Sequence, residues 1–293
     1  MAQALIDRQF LERLERLTIH WQKSFQGLVG GHNASHFAGA GQEFLDHRGF
    51  HQGDDLRAVN WRAYMRLERL ILKLFQVEPR VPVRFLIDAS SSMATGDPDK
   101  FDYARKLAAA LCYVGLVRLE TILIQPFRDG LLDPATAGGG RQRFQPVAEY
   151  LQKLEASGRT DFLQVSRKFL AEYPQRGLLI IISDFLDDRD AEKPLQYLAD
   201  FGHEVVLIHL WSDQDRRPPW TGELELEDAE TGQTTKMNFD DEARDAYTAS
   251  FDAYAAAVRQ MALRKGGKYV GVPTSTPVEE AIFGPLMLAR GIY

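Results

Sequence analysis

Between Val83 and Trp211 short runs of unbroken apolar residues alternate with amphipathic stretches. "VRFLID", "ETILIQPF", "GLLIIISDF" and "HEVVLIHLW" read as strands buried on both faces. "KFDYARKLAAALCYVGLVRL", "PVAEYLQKLEAS", "DFLQVSRKFLAEY" and "KPLQYLADFG" carry the apolar spacing of helices between them. "GLLDPATAGGGRQRF" reads as a short edge strand with a glycine-rich turn. Alternation of this kind implies right-handed crossovers. It predicts an α/β fold, a doubly wound, mostly parallel sheet with helices on both faces and Rossmann-like layering.

The flanks follow other patterns. Phe10, Leu11, Leu14, Leu17 and Ile19 predict an amphipathic helix over residues 5–26. Residues 27–53 are rich in Gly, His, Ser and Asn with little periodicity, and read as a loop. "DDLRAVNWRAYMR" predicts a helix capped by its aspartate pair, with Trp61 as a core anchor and Arg62 and Arg66 sharing a face. "RLILKLFQVEP" predicts a strand or half of a ribbon. The expected organisation is therefore an N-terminal helix and β-rich attachment over 1–80, and an α/β domain over 81–293. A hairpin insertion at about 221–239 turns through Ala229 to Gly232. A long helix over 241–265, the strand "KYVGV" and a helix from Pro277 to Ala289 close the domain.

Composition narrows the partners. With 35 Lys+Arg against 41 Asp+Glu, the 293-residue chain carries a net charge of -6 and no basic field to hold a phosphate backbone, so no nucleic acid is expected. Its single cysteine, Cys112, sits in an apolar helical run, where it reads as a buried small hydrophobe; a lone thiol suits a reducing, cytoplasmic location. Charges at Asp7, Arg8, Glu12, Arg13, Glu15 and Arg16 interrupt the N-terminal stretch, so no signal peptide is read there. The longest apolar runs fall short of the ~20 residues of a membrane span.

Ligands of an open parallel sheet collect beyond the carboxyl ends of its strands, where helices leave to opposite faces. Three segments converge on that edge: Asp88-Ala-Ser90-Ser-Ser92, the "SGRTDF" loop with Thr160, and "IISDF" with Asp184. Two carboxylates and three hydroxyls form a hard, all-oxygen set, which is magnesium-type chemistry, with manganese or calcium as alternatives. A site of few direct ligands leaves a position open to an oxygen from outside, such as a partner carboxylate.

Asp-x-Ser-x-Ser after an apolar strand, a threonine in a Gly-x-Thr loop about seventy residues on, and a later strand ending in Ser-Asp resemble the metal-ion-dependent adhesion site of the von Willebrand factor A fold. "GAGQEFLDHRGFHQGDDLRAVNWRAYMRLERLILKLFQVEP", residues 39–79, is similar to the segment that precedes the A-like domain in the bacterial family called domain of unknown function fifty-eight. Gly53-Asp54-Asp55 and Trp61 match that pattern, whereas Asn60 stands where an aspartate is usual. The resemblance implies that Ser90, Ser92 and Thr160 are inner metal ligands and that Asp88 and Asp184 hold metal-bound waters. It also implies a non-catalytic protein that recruits or presents clients to a MoxR-type AAA+ ATPase, since such ATPases are often encoded beside the family.

Competing readings rest on particular residues. Ser90 to Ser92 can serve as helix caps, as can Asp184, while Asp187, Asp188 and Asp190 read as solvated charges. A haloacid dehalogenase-type phosphatase requires a second carboxylate where Ser90 stands, and no Gly-x-Ser-x-Gly elbow or P-loop is present. A metal-dependent hydrolase in the same crevice has Asp161 as its candidate base. His32 with His36 and His47 with His51 have the spacing of zinc ligands on helices, although both pairs lie in aperiodic sequence. His203 and His209 read as structural strand residues.

Overall fold

The computed structural model describes residues 5–17, 43–52, 54, 56, 59–76, 82–187, 192–264 and 266–289. The chain forms two compact units, one of Met1–Ser24 with Val81–Tyr293 and one of Phe25–Arg80. The sequence reading groups residues 1–80 as one attachment; the structure divides them. Helix α1 (Arg8–Leu14), capped by the Asp7 carboxylate on the N–H of Phe10, belongs to the α/β unit. Its apolar stripe finds cover there: Phe10, Leu14 and Leu17 join the same core as Leu107 and Leu111. Tyr113 donates to Glu15 and Arg118 to the carbonyl of Leu17, which satisfies the end of the segment. The predicted continuation to residue 26 lies outside the described residues.

In the smaller unit, β1 (Glu43–Gly49) pairs antiparallel with β2 (Ile71–Gln76), and α2 (Trp61–Leu67) lies between them in sequence. β1 occupies sequence that reads as an aperiodic loop. Asn60, not the aspartate pair, caps α2 by accepting from the N–H of Ala63. Asparagine caps as well as aspartate does, which accounts physically for the departure at that position. Asp54 instead accepts from Arg48 at 2.8 Å and from the N–H of His51, and Asp55 lies outside the described residues. Trp61 is not a core anchor; it is 54% exposed and meets Tyr64 edge-on.

The larger unit is built on a six-stranded sheet. In chain order its elements are β3 (Val83–Asp88), α3 (Lys100–Val117), β4 (Ile122–Phe127), β5 (Ala135–Ala137), α4 (Phe144–Lys153), α5 (Phe162–Glu172), β6 (Leu178–Ser183), α6 (Glu192–Asp200), β7 (Glu204–Trp211), α7 (Asp213–Arg216), the hairpin β8 (Gly222–Glu227) and β9 (Thr234–Phe239), α8 (Asp241–Arg264), β10 (Lys268–Pro273) and α9 (Val278–Ala281). The strand order is β10-β7-β6-β3-β4-β5, parallel throughout except for β5. The expected α/β fold is therefore observed. The expected final helix is one α-turn that continues into a π-turn over Ile282–Leu286 containing Pro285.

Period-two alternation divides each central strand between two cores. Phe85 and Ile87 of β3 face α1, α3 and α9, while Leu86 faces α5, α6 and α8. Ile180 and Ile182 of β6 go to the first core and Leu179 and Ile181 to the second. Burying each such side chain stabilises the fold by about 1.5–3 kcal/mol. Cys112 is buried in the first core, as its apolar context predicts. No helix of the described residues is long and apolar enough to cross a membrane.

Helix α3 ends in a Schellman turn, with Leu119 N–H on the carbonyl of Leu116 and Glu120 N–H on that of Gly115. Leu119 takes the position where glycine is usual, at φ 63°, with half its surface exposed. Leu119→Gly should raise the unfolding free energy by about 0.5–1 kcal/mol, because a Cβ is disfavoured in this conformation. A urea midpoint that falls in the variant would contradict this.

Candidate functional site

β3 is the central strand from which the chain turns first to β4 and later across to β6, so its carboxyl end lies at the switch point of the sheet. Asp88 ends it, fully buried. One carboxylate oxygen of Asp88 accepts from the backbone N–H of Ser90 at 3.0 Å and from the Thr160 hydroxyl at 3.3 Å. The other accepts from the Ser183 hydroxyl at 2.6 Å. Ser90 and Ser92 place their hydroxyl oxygens 3.0 Å apart, both buried. These serines do not cap the following helix; Asp99 does, accepting from Phe101 and Asp102.

Backbone bonds bring the threonine in. Ser157 N–H donates to Ala89 O at 2.8 Å and Ser91 N–H to Gly158 O at 2.9 Å, so the loop before α5 is stitched to the loop after β3. Gly158 makes this turn at φ 80°, a conformation open to glycine. Four of the five expected site residues, Asp88, Ser90, Ser92 and Thr160, are thus joined by direct polar contacts.

Asp184 stands apart in one respect. It is buried and near enough for its charge to act on Asp88, but its own oxygens accept from Lys100 at 2.9 Å and from the N–H of Leu186 at 3.2 Å. Lys100 is itself buried and reaches Asp215 at 3.0 Å. Burial disfavours its ammonium, yet Asp184 and Asp215 outweigh that and hold its pKa above the usual lysine range. For Asp88 the balance is opposite: burial, then the charge of Asp184, pushes its pKa up to about 7 against the hydrogen bonds from Ser183 and Ser90. Burial lowers His209 to about 4, so this ring beside Asp184 is neutral and structural, as read from the sequence.

Sequence reasoning missed four members of the cluster. Ser183 was visible only as the serine of a strand-ending Ser-Asp. Lys100 and Asp215 sit at helix starts, where charges are ordinarily solvated, and Glu230 sits in a hairpin turn. Glu230 nevertheless accepts from the N–H of Thr160 at 3.2 Å and from its hydroxyl at 3.5 Å. Asp187 also departs from expectation, accepting from the N–H of Phe162 at the head of α5; Asp188 and Asp190 lie outside the described residues. Asp161, the candidate hydrolase base, caps α5 through the N–H of Gln164.

The donor set suits a hard dication. Magnesium–oxygen bonds of about 2.1 Å at right angles put neighbouring ligand oxygens about 3 Å apart. The Ser90–Ser92 separation of 3.0 Å lies at that spacing. Asp184 and Asp215 pair with the buried ammonium of Lys100, and burial, together with the charge of Asp184, raises the pKa of the neighbouring carboxyls of Asp88 and Glu230. The crevice above them, about 440 Å³, is walled by Ser92, Lys100, Asp215 and the hairpin turn. The alternative zinc pairs fare otherwise. His47 lies on a strand beside Asn60, His51 contacts Arg48, and His32 and His36 lie outside the described residues.

The model of the family described as "Protein of unknown function DUF58" matches residues 46–257. The uncharacterized protein Rv1480 of Mycobacterium tuberculosis is 25% identical over 260 residues, 86% of this chain and 81% of that protein. Among solved structures, the conserved hypothetical protein BatB from Bacteroides thetaiotaomicron aligns with a TM-score of 0.42 and 15% identity, over 71% of this chain and 98% of its own. A von Willebrand factor type A protein from Catenulispora acidiphila aligns with a TM-score of 0.43 and 10% identity, over 75% of this chain and 43% of its own.

Proposed function

This chain belongs to the DUF58 family of proteins of unknown function, and on that premise we propose that it is a non-catalytic, magnesium-dependent protein-binding module. The observation that carries the reading is the buried oxygen cluster assembled around Asp88 from segments 72 and 95 residues away. In this reading Ser90, Ser92 and Thr160 supply neutral oxygens directly, and Asp88 and Asp184 act through bound waters. A dication held there offers a coordination position and strong attraction to a carboxylate of a partner protein. Asp88 orients the hydroxyls through its hydrogen bonds, and Ser183 fixes Asp88 in turn. Burial lowers the local dielectric and strengthens each of these polar contacts. The partner is proposed to be a MoxR-type AAA+ ATPase together with its client, in the cytoplasm.

Isothermal titration with magnesium tests the site. Ser90→Ala should weaken binding at least about 10-fold, the lower end of what loss of even an outer partner of a metal site does. Equal binding by both proteins would refute the reading. Capture of the ATPase in magnesium but not in chelator would support the partner, whereas turnover of simple phosphate or acyl esters would favour a metal-dependent hydrolase in the same crevice.

A further inference from the structure

The turn between β8 and β9 is built around Asp228, whose carboxylate accepts from the N–H groups of Glu230 and Thr231 at 2.9 and 2.6 Å. Backbone bonds between Asp228 and Gln233 and between Gly232 and Asp228 close the loop. The closed turn carries the Glu230 side chain across the crevice to the N–H and the hydroxyl of Thr160, one of the three hydroxyls assigned above as direct ligands. The main chain of the turn is tied to the same side, since Arg159 donates to the carbonyl of Glu230 at 3.2 Å.

Away from its tip the hairpin is held at its base, where the buried Phe239 meets Tyr247 of α8 edge-on. β8 and β9 are exposed along their length except for the partly covered Leu224 and the buried Phe239. A two-stranded ribbon is marginal by itself. Its position over the crevice therefore depends on the contacts at its tip, and it can lift without opening either core of the sheet.

We propose that this hairpin is a tethered pseudo-ligand: Glu230 occupies the carboxylate position of the oxygen cluster, and an acidic side chain of the protein partner binds by displacing it. The proposal rests on the reading of the cluster as a dication site. It adds that the site is closed by the chain's own carboxylate and that recognition is a competition between two carboxylates for the same oxygens. Partner affinity is then reduced by the fraction of molecules whose hairpin is docked.

Manganese and acetate serve as probes of the full chain. Water-proton relaxation by bound manganese counts exchangeable waters, and acetate reports whether an outside carboxylate can enter. In Glu230→Gln the bound ion should gain about one exchangeable water, acetate should lower the relaxation several-fold more than in wild type, and amides of residues 222–239 should lose hydrogen-exchange protection. Glu225→Gln, on the exposed part of the same hairpin, should match wild type; an equal response there would show a generic charge effect and overturn the proposal. If Glu230→Gln matches wild type while Ser90→Ala abolishes manganese binding, the proposal falls and the metal site stands. If wild type binds no manganese, both fall. Far-UV circular dichroism confirms that each variant is folded.

Discussion

Lys100→Met should lower the free energy of unfolding by about 3–5 kcal/mol, the range found when one partner of a buried ion pair is removed. Only 1% of the lysine side chain and 3% of Asp184 reach solvent, and the ammonium bonds Asp184 at 2.9 Å and Asp215 at 3.0 Å. Methionine keeps the packing volume, so the loss comes from a buried carboxylate deprived of its counter-charge while Asp88 lies near it. Asp184→Asn in the Lys100→Met background removes that stranded charge and should restore a large part of the loss. A four-protein urea cycle measures the coupling. Coupling below about 0.5 kcal/mol, the additivity limit of independent sites, would show that the pair does not hold the crevice together.

A second large effect is expected next door. Phe185 follows Asp184 with φ at 57° and is fully buried, stacked on Phe162 at 5.7 Å and edge-on to His209 at 5.7 Å. Tyr254 donates to its carbonyl. Phe185→Ala should cost about 3–5 kcal/mol through the cavity it leaves. The informative comparison is Phe185→Gly. In ordinary backbone glycine is worse than alanine by about 0.5–1 kcal/mol, but at this φ alanine keeps a disfavoured Cβ that glycine lacks. Glycine should therefore be at least as stable as alanine here. The usual order in thermal or urea unfolding would mean that the aromatic packing does not force this backbone conformation.

The residues explain what was legible. Strands such as "GLLIIISDF" are apolar on both faces because both faces are covered, and that pattern survives in the linear chain. Asp88, Ser90 and Ser92 were readable because they alternate along one short stretch at the end of β3, and Thr160 because its loop leads into α5 at the same sheet edge. Lys100 and Glu230 were not, since a charge at a helix start and a charge in a turn look solvated until tertiary structure encloses them. β1 escaped because "EFLDHRG" alternates poorly, its pairing with β2 supplying what the pattern lacks. Asn60 caps α2 because the helix starts at Trp61, which puts residue 60 at the cap position and leaves Asp54 six residues before it, paired with Arg48.

The stitching of the loop before α5 onto the loop after β3 has a consequence for biosynthesis. A nascent chain emerging from the ribosome exposes Asp88 long before the residues that will satisfy its carboxylate, 72 and 95 positions later. Pairings this distant in sequence are slow to form, because loop closure must come before the contact rewards it. Until Ser183 has been translated and β6 has docked beside β3, the aspartate stays hydrated and ordinary, and the chain cannot engage any ligand that depends on the finished cluster.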